Sequence, residues 1–101
     1  MNKLVRDNIP AIIGRTGKRA LVSTLEESAY HKALCDKLGE EVEEFLQSGE
    51  VMELCDVVEV VHALLAVMDI SMEEFERLRL QKRHSNGGFE RRLLLTGIED
   101  A

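Results

Sequence analysis

Residues 51–68, VMELCDVVEVVHALLAVM, are apolar almost all the way round a helical wheel, and this segment constrains the fold more than any other. A helix that is apolar on most sides is expected to be covered on most sides. Its few polar residues then need an account. Glu53, Asp56, Glu59 and His62 follow one another at intervals of three, forming a slanted row, and the segment holds no Lys or Arg to pair with them. A carboxylate is costly to bury alone, so such groups are normally paired, protonated or bound to metal.

The stretch before it supplies a partner for that row. KLGEEVEEF places Glu41 and Glu44 three apart, as Glu53 and Asp56 are, so each pair occupies one face of its own helix, a turn apart. A break at Gln47, Ser48 and Gly49 lets the two helices fold back on each other, bringing four carboxylates to a common level. Acids so crowded repel unless a cation lies between them, and an all-oxygen cage suits Mg²⁺ or Mn²⁺. Read alone, EEVEE is a solvated acidic face; the greasy helix opposite shifts the reading of Glu41, Glu44, Glu53 and Asp56 to metal. Glu59 is left between an outer ligand and a core polar contact, and His62 reads as a packed, hydrogen-bonded histidine.

Thr24 and Glu27 form a capping box, so the first long helix is expected over residues 24–47. Its apolar stripe is Leu34, Leu38, Val42 and Phe45, with Cys35 and Leu46 at the edge; Glu41 borders the stripe, while Glu40 and Glu43 turn toward solvent. A second capping box, Ser71 with Glu74, opens a third helix to about residue 84, with Met72, Phe75 and Leu78 facing inward and Asn86-Gly87-Gly88 ending it. Lys82, Arg83 and His84 gather at its C-terminal end, where the helix dipole favours cations. Before the first long helix, KLVRDNI is an arm that runs into Pro10, which opens a short helical turn. Lys3 and Arg6 on this arm are either surface charges or reach an anion held by the acids. GRTGKRA misses the spacing of a phosphate loop and reads as a turn, followed by a brief extended stretch at residues 20–22. The tail FERRLLLTGIEDA is expected to be extended or loosely helical, packed on a neighbour.

Composition bounds what such a chain can do. At 101 residues with 45% hydrophobic content it is expected to form one domain with a modest core, and one Pro with few aromatics favours an all-α protein. A net charge of −6 argues against binding nucleic-acid polymers but leaves a nucleotide reached through metal. Cys35 and Cys55 sit in helical patterns without a CxxC motif or a His cluster, so buried free thiols are expected, in keeping with the cytoplasm. MNKLVRDNIP has no apolar core of signal-peptide length, and no run reaches the ~18 apolar residues of a membrane span.

Taken together, EEVEE and ELCD resemble the ExxE...ExxD signature of the all-α nucleoside triphosphate pyrophosphohydrolases, the superfamily of the MazG-like and phosphoribosyl-ATP pyrophosphohydrolases. KLVRDNIP, KLGEEVEEF, ELCDVVEVVHAL and KRHSNGGF are similar to a small single-domain branch of it, so the resemblance covers most of the chain. It implies a helical bundle completed by homodimer or homotetramer formation. The implied activity is Mg²⁺-dependent cleavage between the α- and β-phosphates of a nucleotide, yielding a monophosphate and pyrophosphate. Glu41, Glu44, Glu53 and Asp56 fall on the family's metal positions, and Glu40 on an acidic position that orients or deprotonates water. Lys82 falls on a family basic position, and Lys3 and Arg6 match the basic residues of the branch's N-terminal motif; by charge alone, Arg83 beside Lys82 is expected to help bind phosphate. Cys55 departs from the pattern, standing beside a ligand position where members often carry a small or apolar residue. Two other classes remain open: a dimeric helical module whose acidic groove takes a basic partner, and a cation-binding protein without turnover.

Overall fold

The computed structural model describes residues 2–101. α1 (Ile9–Gly14) begins with Pro10 in its first turn, where a missing N–H costs nothing, and buries none of its residues. Gly17, at φ +83°, turns the chain after it. The architecture is all-α: among the described residues there is no strand, so the extended stretch expected at residues 20–22 pairs with nothing.

α2 (Glu27–Ser48) starts three residues later than Thr24 predicts. Glu26 is the N-cap in extended conformation, and its carbonyl accepts the Tyr30 N–H at 2.8 Å. No side chain caps this end; instead Glu26 and Glu27 place negative charge at the positive end of the helix dipole. The other end closes on Gly49, left-handed at φ +68°, whose N–H returns to the Phe45 carbonyl. Glu50 N–H bonds to the Ser48 hydroxyl, and α3 (Val51–Val67) begins at once. So short a link between two packed helices makes an antiparallel hairpin.

Two corrections follow from helix geometry. At about 100° per residue, Glu41 lies about 20° from Leu34 and Val42 about 80° from it, so the stripe is Leu34, Leu38, Glu41 and Phe45. Leu34 and Glu41 are buried, Leu38 and Phe45 half-buried, and Val42 is exposed. In α3 a row spaced by three turns back about 60° per step, so it winds out of the interface. Glu53 and Asp56 are half-buried, whereas Glu59 and His62 are exposed, which removes the packed-histidine reading of His62.

α3 itself is less covered than its composition predicts. Val60 and Leu65 are buried, but Val51, Met52, Leu54 and Val58 face solvent, because one partner helix shields only one side. Cys35 and Cys55 are free, as expected, yet exposed rather than buried, since each projects from the outer face of its helix.

These elements make up a first compact unit that runs to Ile70; Ser71–Ala101 forms a second. In the second, Ser71 caps α4 (Met72–Asn86) by accepting the Glu74 N–H at 3.0 Å, and Gly87 ends it at φ +83°. Of the expected inner face only Phe75 is half-buried, with Met72 and Leu78 exposed. Residues 87–101 are exposed throughout, including Phe89, Leu93 and Leu95. Thirty-one residues are fewer than usually sustain a core of their own. No helix among the described residues is long and apolar enough to cross a membrane.

Candidate metal centre

The α2–α3 hairpin brings Glu41 from one helix against Glu53 and Asp56 from the other. One carboxylate oxygen from each of the three lies within 4.8 Å of the others. Glu41 is the innermost, 6% exposed, because helical geometry sets it in the apolar stripe. Its Oε1 lies 3.1 Å from the Lys37 ammonium. Its Oε2 is buried without any hydrogen-bond partner. An unpartnered carboxylate oxygen in a protein interior is costly, and an oxygen-seeking cation beside two more carboxylates would satisfy it. The donor set therefore fits Mg²⁺ or Mn²⁺: hard oxygens only, with more than one negative charge to balance.

Two cations already serve this cluster, and neither comes from α3. Lys37, one turn ahead of Glu41 on α2, reaches Glu40 at 3.3 Å as well as Glu41. Burial works against its ammonium, but hydrogen bonds to Glu41 and Glu40 prevail and raise its pKa. Arg6, fifty residues before Asp56, donates from Nη2 to Asp56 Oδ1 at 2.7 Å. The absence of a base from α3 thus does not leave its acids unpaired. Lys37 was legible in the sequence as the i−3 and i−4 neighbour of Glu40 and Glu41; the Arg6 pairing was not, because nothing local links residue 6 to residue 56.

Glu44, the fourth expected ligand, is exposed and stands outside the three-oxygen set. It still feels the cluster: chiefly the charge of Glu41, joined by that of Glu53, pushes its carboxyl above the ordinary value. Glu40 is half-buried and held by Lys37. Lys3 is exposed on the arm. Lys82 and Arg83 lie exposed on α4, in the second unit, where Arg83 pairs with Glu90 at 2.7 Å and draws that carboxyl below its ordinary value. Compared with known proteins, the chain matches no family model, no curated protein and no solved structure.

Proposed function

We propose that this chain is a divalent-cation-dependent nucleotide pyrophosphohydrolase of the MazG-like, all-α kind, cleaving between the α- and β-phosphates to give a nucleoside monophosphate and pyrophosphate. The observation that carries the reading is the buried, unpartnered Glu41 Oε2 beside the oxygens of Glu53 and Asp56. The resemblance of KLGEEVEEF and ELCDVVEVVHAL to the family signature turns a cation site into a nucleotide site. Glu41, Glu53 and Asp56 hold the ion, with Glu44 completing the set. Bound there, Mg²⁺ or Mn²⁺ supplies charge against which phosphate oxygens gather and makes nearby water more acidic. Glu40, its carboxylate steadied by Lys37, accepts a proton from the attacking water or orients it. Lys3 and Arg6 bind the remaining phosphate charge. A homodimer or homotetramer covers the apolar outer face of α3.

The test is a panel of canonical, modified and phosphoribosylated nucleotides assayed with Mg²⁺, with and without added pyrophosphatase. Phosphate that appears only when pyrophosphatase is added supports the reading; phosphate appearing without it makes the protein a phosphatase. Cation-dependent thermal stabilisation without turnover on any nucleotide would leave a cation-binding protein.

A further inference from the structure

The acidic cluster is bridged by two protein cations of different standing. Lys37 is 17% exposed and braced within its own helix between Glu40 and Glu41. Arg6 is half-exposed and comes from the arm ahead of α1. Among the described residues, no backbone hydrogen bond ties residues 2–8 to α2 or α3, and the Arg6–Asp56 contact is the one ion pair that fastens this arm to the hairpin. A half-exposed ion pair of this kind is weakly held. An ion that takes an Asp56 oxygen places two positive charges beside the guanidinium, so the two cations oppose each other at one carboxylate.

We infer that a divalent cation and Arg6 compete for Asp56, so that residues 2–8 form a strap which closes over the cation-free cluster and is released when the ion binds. The inference rests on the metal reading of Glu41, Glu53 and Asp56, and adds to it a defined cation-free state. Arg6 neutralises Asp56 in that state and becomes available to an anion only after the ion has entered. Lys37, already shared between two carboxylates of its own helix, stays in place.

Two measurements on the full chain test this. The affinity for Mn²⁺, read from the free-ion electron paramagnetic resonance signal, is compared for the wild type, Arg6→Gln and Arg15→Gln. Arg15 loses the same charge but pairs with no carboxylate among the described residues. Arg6→Gln is expected to bind Mn²⁺ roughly three- to tenfold more tightly and Arg15→Gln as the wild type does. Separately, the Arg6 Nε–H resonance, identified by its loss in Arg6→Gln, is expected to move to the position of a free arginine as diamagnetic Mg²⁺ saturates the wild type. Equal or weaker Mn²⁺ binding by Arg6→Gln, or an Arg6 resonance indifferent to Mg²⁺, overturns the competition and makes Arg6 a support for the ligand carboxylate. A wild type that binds no Mn²⁺ overturns the metal reading itself, and the strap with it.

Discussion

A single turn of helix decides most of what Glu41 does. Because residue 41 falls between Leu34, Leu38 and Phe45 on the wheel, its carboxylate is carried into the α2–α3 seam, where Lys37 satisfies one oxygen and nothing satisfies the other. On the proposed pyrophosphohydrolase reading, Glu41→Gln is therefore expected to lower kcat far more than it weakens nucleotide binding, which steady-state kinetics on the best substrate of the panel measures. Neighbouring charge also sets a pH dependence. The Glu44 carboxyl is held above its ordinary value of 4.5 chiefly by the charge of Glu41, so the folded state binds its proton more tightly than the unfolded state. The stability of the cation-free protein should then fall as pH rises from about that value through the raised one, and saturating Mg²⁺ should flatten the fall. Thermal melts across acid to neutral pH check this, with Glu44→Gln expected to remove the same slope. At neutral pH, Mg²⁺ should raise Tm, and Glu53→Gln or Asp56→Asn should remove most of that rise; Glu53→Gln should leave the cation-free protein as stable as before or slightly more so, whereas Asp56→Asn also weakens the exposed Arg6 pair and should cost it at most about 1 kcal/mol. Collapse of the cation-free fold on these substitutions would make the acids structural.

The hairpin is the element that builds the site, and its two ends hold for different reasons. Gly49 adopts φ +68° with open space around its α-carbon, so Gly49→Ala meets no clash and is opposed by backbone strain alone, about 1 kcal/mol. Leu34, 3% exposed, anchors the seam toward the opposite end of α2, and Leu34→Ala should cost about 2–4 kcal/mol through lost burial and the cavity left behind. Urea unfolding of both variants compares strain with packing. The larger loss at Leu34 would show that packing, more than the turn, keeps Glu41 facing Glu53 and Asp56. Elements outside the hairpin owe more to local chemistry. α4 is capped by Ser71 and laced by the Glu74–Arg77 and Glu76–Arg79 pairs on an exposed surface.

At the scale of the molecule, a chain of this size buries little: Leu34, Val60 and Leu65 are its only buried apolar side chains among the described residues. Val51, Met52, Leu54 and Val58 leave apolar side chains of α3 open to solvent, where a second copy of the chain could cover them. Sedimentation at micromolar concentration should reveal a dimer or tetramer rather than an 11.4 kDa species alone. Val58→Glu should shift that equilibrium toward the monomer while leaving the helical circular dichroism of each chain intact.

Periodicity and capping chemistry made the helices legible without any structure. Ser71 with Glu74 placed the start of α4, Gly49 the hairpin turn, and the largely apolar run α3, because each is decided within a few residues. The spacing of Glu41, Glu53 and Asp56 likewise pointed to a carboxylate cluster, since helical repeat and a tight turn suffice to bring them level. What lay beyond local rules was rotation and long-range pairing. Helical repeat by itself sets Glu41 rather than Val42 in the stripe of α2; tertiary packing decided which side of α3 meets that stripe, leaving Glu59, His62, Cys35 and Cys55 in solvent, and brought Arg6 across fifty residues to Asp56. The sequence alone determined which residues share a helix and a turn. Only the fold could decide which face of each helix meets the other, because that depends on the surface α2 and α3 bury jointly rather than on the preferences of either strand of sequence.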